Sequence, residues 1–209
     1  MRLFFLFLLI NQSVRAQLYL PHTRKEAIDI VNKNLSKEIF ENYNPDQYIK
    51  IGSFISKSKR HALICYLDKK LNYHLELFEI VKNKLVQKYH IPDFDGNTLY
   101  FSIDFQDWNY DGYKDILIRI SASNGYTISH YQLFLYIPQK NSLLLKKQFV
   151  KLPNPKRVPT KKIVISEIYI QCTKDFTINV CKRRYRWSKN NLYFIDEKCP
   201  CKDFWTKAR

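Results

Sequence analysis

At 209 residues, with 45% hydrophobic and 15% aromatic side chains, the chain holds enough core for one domain and is excluded from general disorder. Only four Gly exclude a Gly-rich repeat protein. A formal net charge of +16 points toward an acidic protein, an anionic polymer or a membrane surface as partner.

The first segment reads as one that is removed. Arg2 precedes an apolar run from Leu3 to Ile10, and Val14-Arg15-Ala16 puts small residues at −3 and −1 before Gln17. A short basic start, a short apolar core and such a site describe a secretory signal peptide over residues 1–16. Eight apolar residues are too few to span a bilayer, which needs about 20. No Cys follows the cleavage point, so a lipid anchor is not expected there, nor membrane contact beyond export. Cleavage removes Arg2 and Arg15 and takes 35 basic residues to 33 against 19 acidic, or +14. The remainder, 17–209, is expected to be a single β-rich domain, exported to a periplasmic or fully secreted location. An exported chain without a binding motif is a poor nucleic-acid ligand.

Thr23-Arg-Lys-Glu26 has the pattern of a capping box, and Ala27, Ile28, Val31, Leu35 and Ile39 recur at helical spacing, so a helix is predicted over about 24–40. From Tyr48 the pattern changes to strands. Runs at Ala62–Leu67, Tyr73–Ile80 and Leu85–Ile91 are separated by Asp68-Lys-Lys and Lys82-Asn-Lys turns, which predicts a meander. Further strands are expected at Leu99–Ile103, Ile116–Ile120, Tyr131–Ile137 and Ser142–Lys146, with a Pro138-Gln-Lys-Asn turn between the last two. Leu152–Pro159, rich in Pro, reads as a connector before strands at Lys162–Ile168, Phe176–Trp187 and Leu192–Ile195. Strands about every ten residues with a single helix predict a mainly antiparallel β domain.

Between two of these strands lies Asp107-Trp108-Asn109-Tyr110-Asp111-Gly112-Tyr113-Lys114-Asp115, a D-x-N-x-D-G-x-x-D loop. Ca²⁺ takes several oxygens at about 2.3–2.6 Å, and this spacing turns alternate side chains inward. Asp107, Asn109, Asp111, the carbonyl of Tyr113 and Asp115 are the candidate ligands, with Gly112 allowing the sharp turn. The loop is not an EF-hand. Position 12 is Ile118 rather than Glu, and the flanks are strands rather than helices. Six Asp lie between residues 93 and 115 (93, 95, 104, 107, 111 and 115) beside one Lys. Three ligand carboxylates held together repel unless a cation neutralises them. Asp93 and Asp95 are read as solvated turn residues. The competing reading of the loop is an Asp/Asn/Gly turn with no ion.

The order of this loop, Tyr131-Gln-Leu-Phe-Leu-Tyr-Ile-Pro138, Asn154-Pro155 before Lys162-Ile-Val-Ile-Ser166, and Tyr185-Arg-Trp-Ser-Lys-Asn-Asn-Leu192 resembles a bacterial cell-envelope family of calcium-loop, β-propeller-like proteins. The resemblance covers about residues 99–195. That family includes immunity proteins that inhibit lysozyme-like peptidoglycan hydrolases. It implies a β-propeller-like fold and carries Ca²⁺ onto Asp107, Asn109, Asp111, Tyr113 and Asp115. No motif here marks an inhibitory surface. The expected fold is therefore mainly β, an antiparallel β-propeller-like or sandwich-like domain with one N-terminal helix.

Five Cys follow residue 16, at 65, 172, 181, 199 and 201. Export favours disulfides over a Cys₄ zinc site. Cys199-Pro-Cys201 is too cramped to pair with itself, so each is expected to reach Cys172 or Cys181. Cys65, within Ala62-Leu-Ile-Cys-Tyr-Leu67, reads as a buried free thiol.

Lys57-Ser-Lys-Arg60, Lys146-Lys147, Lys161-Lys162 and Cys181-Lys-Arg-Arg-Tyr-Arg186 read first as solvated faces and turns. Trp108, Trp187 and Trp205 read as core or cross-strand pairs before sugar platforms. There is no H-E-x-x-H or G-x-S-x-G, and His22, His61, His74, His90 and His130 share no ligand spacing. The chain is expected to be a non-enzymatic binding protein with structural calcium. Its leading function is inhibition of a cell-wall hydrolase, with Trp108, Tyr126 and Arg183–Arg186 as candidate anchors. The alternative is a surface adhesion or glycan-binding module on the same calcium loop.

Overall fold

A computed structural model describes residues 23–44, 47–70, 72–94, 101–123, 128–172 and 177–201. The proposed signal peptide, Asp95, Tyr126 and Trp205 lie outside these. Helix α1 (Arg24–Asn34) begins with the capping box that the sequence predicts: Thr23 Oγ1 accepts from Glu26 N–H at 3.2 Å, and Glu26 Oε2 accepts from Thr23 N–H at 2.7 Å. It ends six residues before the predicted limit. Asn34 Nδ2 donates to the Ile30 carbonyl, and Arg60 donates to the carbonyls of Leu35 and Lys37. These side chains satisfy the last turn from outside. Ile39, assigned to the helical core by periodicity, is 72% exposed.

Thirteen strands follow among the described residues, in three antiparallel meanders. The first sheet is β1 (Phe40–Asn44), β2 (Gln47–Ser56), β3 (Lys59–Leu67), β4 (Tyr73–Val81) and β5 (Lys84–Phe94). The central sheet is β6 (Ser102–Gln106), β7 (Asp115–Ser123), β8 (Ile128–Ile137) and β9 (Ser142–Leu145). The terminal sheet is β10 (Pro155–Val158), β11 (Ile163–Gln171), β12 (Ile178–Ser188) and β13 (Asn191–Lys198). In every sheet the strands pair in chain order, and none closes into a barrel.

Two short strands escaped the sequence pattern. β1 sits where the helix was expected to end. β10 lies in the Pro-rich stretch read as a connector, and it is an edge strand that starts on Pro155. Pro is tolerated there because its missing N–H breaks no central ladder. Of the strand expected at Leu99–Ile103, Leu99 and Tyr100 lie outside the described residues, and the described part is β6 from Ser102.

Alternation decides the layers. On β3, Ala62 and Ile64 face α1 while Leu63, Cys65 and Leu67 face the central sheet. On β7, Ile116, Ile118 and Ile120 join the first sheet's core, while Leu117 joins Leu133, Leu135, Phe149, Val164 and Trp187 on the terminal side. The order is helix, first sheet, central sheet, terminal sheet. The central sheet is therefore apolar on both faces, which explains the unbroken Ile116-Leu-Ile segment. A bidentate pair fastens α1: Arg24 Nε and Nη2 reach Glu76 at 2.7 and 2.9 Å, and Gln87 and Tyr66 also donate to this fully buried carboxylate.

Candidate metal loop

Residues 107–115 join β6 to β7 and touch all three sheets. Lys114 N–H donates to the Ile55 carbonyl of the first sheet at 3.1 Å. Asp115 Oδ1 accepts from Tyr136 N–H of the central sheet at 2.9 Å. Tyr110 Oη donates to the Ile163 carbonyl of the terminal sheet at 2.7 Å, and Asn109 Nδ2 donates to Asn190 Oδ1 at 3.1 Å. Tyr110 adopts φ +62°, a costly conformation for a bulky residue. Its hydroxyl bond and the Arg157 guanidinium, 5.3 Å from its ring centre, hold it there.

Within the loop, carboxylates collect backbone N–H groups. Asp107 accepts from Asp111 and Gly112, each at 3.0 Å, and Asp111 Oδ1 accepts from Tyr113 at 3.0 Å. Asn109 Nδ2 donates to Asp111 Oδ2 at 2.9 Å. Gly112 takes φ +93° with open space where a Cβ would stand, so backbone conformation rather than crowding selects Gly.

Asp115 differs from its neighbours. It is fully buried, and its Oδ2 accepts from Trp108 and Asn109 N–H at 2.7 and 3.3 Å. Burial pushes its carboxyl up to about 7, and Asp111 adds to the rise while three N–H bonds oppose it. The donors are all hard oxygens, and no basic side chain pairs with them in the contacts above. Asp107, Asn109 and Asp111 present theirs at the outer end of the loop. Asp115 closes the inner end, where Oδ1 keeps one lone pair beyond its bond to Tyr136. The oxygens of Asp107, Asp111 and Asp115 do not all three lie within 4.8 Å of one another in this arrangement. The donor set, all hard oxygens, is of the type Ca²⁺ takes.

Among the described residues, one trio of possible metal ligands does lie within 4.8 Å: Cys181, Glu197 and Cys199. Its sulfurs are joined to each other, and Glu197 receives Arg183. The disulfides are Cys172–Cys201 and Cys181–Cys199, and Cys65 is a buried free thiol whose ionisation burial opposes. Sequence reasoning named the four paired residues and left their connectivity open. Two disulfides suggest an oxidising, exported environment. No described helix is long and apolar enough to cross a membrane.

Of the candidate protein-binding anchors among the described residues, packing claims Trp108. Trp108 is 3% exposed and meets Phe149 edge-on at 5.2 Å. Arg183 and Arg184 pair with Glu197 and Asp196 on the adjacent strand, leaving Arg186 exposed. A grouping that linear spacing hides is Tyr66–His74–His90, stacked across β3, β4 and β5 with centroids 4.8 and 5.9 Å apart, with His74 bonded to Asp68 at 3.0 Å. The three rings come from separate strands, so only the register brings them together.

Comparison of the chain with family models, curated proteins and solved structures finds no match.

Proposed function

We propose that the chain is an exported, calcium-stabilised binding protein that inhibits a peptidoglycan hydrolase. The observation that carries the structural half of this reading is the loop 107–115, which bonds to all three sheets. A cation held by Asp107, Asn109, Asp111, the Tyr113 carbonyl and Asp115 would neutralise clustered carboxylates and tighten that junction, supplying structure rather than a reactive water. The stacked antiparallel meanders support a propeller-like reading, each sheet standing for one blade. The inhibitory half rests on the family resemblance of residues 99–195 and on the excess of positive charge, which favours an acidic partner face.

Calcium is tested by thermal melting. A ligand specific to the native state at 100 times its Kd adds about 2.7 kcal/mol, so EDTA should lower Tm by several degrees. Asp111→Ala should remove the response to Ca²⁺, while exposed Asp29→Ala on α1 should keep it. Identical melting with and without Ca²⁺ would leave the loop as an ion-free turn. Inhibition is tested separately, by adding the exported form to a panel of wall hydrolases. Suppressed activity that recovers as salt weakens association is the expected result; a fully active panel would reject the inhibitor.

A second reading, glycan binding, is favoured by a cleft of about 550 Å³ between the β6 and β10 edges, lined by Ser102, Asp104, Gln106, Tyr131 and Arg157 among others. Planar hydrogen-bonding side chains beside aromatic and Pro surfaces suit a polyhydroxylated ligand. Retention on purified glycan with hydrolases unaffected would promote it.

A further inference from the structure

The cleft between the β6 and β10 edges carries opposite charges on its two walls, and register explains how they come to face each other. On β6, Asp104 pairs with Leu117, which pairs in turn with Leu133 on β8; both leucines belong to the terminal-side core. Directly opposed strand residues share a face, so Asp104 points toward the terminal sheet. On β10, Arg157 pairs with Val164, another member of that core, and so points back toward the central sheet. Leu117 and Tyr131 supply the floor, and about 550 Å³ lies between the walls.

Neither charge is neutralised by another described residue. Asp104 Oδ1 accepts from Phe105 N–H at 2.8 Å, and its Oδ2 accepts from no described residue. Arg157 Nη1 donates to Gln106 Oε1 at 2.9 Å, and its guanidinium lies 5.3 Å from the Tyr110 ring centre. Both of these partners are uncharged, so they fix the position of the guanidinium without cancelling its charge. Both side chains are partly exposed. Arg157 Nε is shielded from solvent, and the Nη end is what a ligand meets. Gln106 stands two residues beyond Asp104 on the same face of β6, roughly 7 Å away. The guanidinium held by Gln106 is thus too far from Asp104 to pair with it, and near enough for one sugar ring to touch both.

We propose that the saccharide this cleft selects is zwitterionic, an amino sugar that also bears a carboxylate. Its ammonium pairs with Asp104, its carboxylate with the Nη end of Arg157, and its ring lies against Tyr131. Ser102 and Gln106 are placed to meet its hydroxyls. A neutral sugar forgoes both charge-assisted bonds. A purely acidic sugar brings its anion near Asp104, and a purely basic one brings its cation near Arg157. The proposal rests on the glycan reading of this cleft and narrows it to one ligand chemistry. It is independent of the calcium loop and of the inhibited hydrolase.

The experiment titrates the exported form with four sugars and follows amide chemical shifts by NMR. Muramic acid carries an ammonium and a carboxylate on adjacent ring substituents, N-acetylmuramic acid keeps only the anion, glucosamine only the cation, and glucose neither. Muramic acid is expected to bind about tenfold or more tighter than either singly charged sugar, the scale of one charge-assisted pair, with glucose weakest. Asp104→Asn, at a partly exposed position, should keep Tm and make muramic acid no better than N-acetylmuramic acid. Arg157→Gln should make it no better than glucosamine. Equal affinity for the four sugars, or retention on purified glycan with no response to any of them, would overturn the proposal and leave the glycan reading standing. No binding and no retention would overturn both. β-Alanine binding as tightly as muramic acid would also overturn the proposal and assign the cleft to small amino acids. An unchanged order of affinities in both variants would overturn it by removing Asp104 and Arg157 from the site.

Discussion

The central and terminal sheets have the same strand number and the same meander order, yet they are held in different ways. The central sheet is packed on both faces: Ile116, Ile118 and Phe134 face one way and are fully buried, while Leu133 and Leu135 face the other. The terminal sheet gives one face to the core through Val164 and Trp187, and Ile178, Tyr193 and Phe194 stand more than half exposed. It also carries both disulfides and the cross-strand Arg183–Glu197 and Arg184–Asp196 pairs. A sheet buried on two faces is stabilised by area, whereas one buried on a single face leans more on covalent ties, its exposed ion pairs adding little.

The sharpest way to break this contrast is to remove apolar volume from the centre. Phe134→Ala should cost about 3–5 kcal/mol in urea denaturation, since the ring is fully buried between sheets. A loss no larger than that of a surface change would mean the central sheet is not the core. Next in size is the Cys172→Ser/Cys201→Ser pair, expected to cost about 2–5 kcal/mol. Native-state amide exchange should rise first on β11, β12 and β13 and leave β3, β7 and β8 protected. Uniform loss of protection would show that the sheets unfold as one unit.

Acid sharpens the comparison further. His61 is fully buried between the first and central sheets, its Nε2 on Asn141 Oδ1 at 2.9 Å and its Nδ1 without a partner among the described residues. Burial, partly offset by the Asn141 bond, holds its pKa below the usual 6.5. The unfolded state then binds the proton more readily. This contribution is fully present above about 6.5 and declines as pH falls through that value toward the depressed folded pKa. Asp196 behaves differently, because Arg184 lowers its pKa; its contribution persists to the ordinary carboxylate range and is lost only below it. In saturating Ca²⁺, stability should therefore begin to fall near pH 6, and His61→Gln should remove that limb without altering the one at lower pH. An unchanged limb in His61→Gln would place the titration elsewhere. The smallest effect belongs to Tyr193→Ala on β13, expected within about 0.5 kcal/mol because the side chain is 56% exposed. A cost comparable to Phe134→Ala would reveal that this face is covered in solution.

What the sequence determined by itself was whatever depends on neighbours along the chain. Thr23 and Glu26 announced their cap, Lys82-Asn83 took the positive φ that its tight turn requires, and alternation marked most of the strands. The D-x-N-x-D-G-x-x-D spacing singled out the loop because turn geometry and carboxylate density are local properties. Tertiary structure decided the rest. The helix stopped at Asn34 because Arg60, on β3, takes the carbonyls that another turn would use. β10 became a strand because β11 offered it a ladder, although it begins on Pro155. Trp108 was taken into the core by Phe149, and Arg183 and Arg184 found acids on β13 while staying partly exposed. Asp115 became the buried inner end of its loop because Tyr136, 21 residues on, donates to it. Such partners lie far away in sequence, and their burial sets the energetic weight of each group, so no local pattern could announce them.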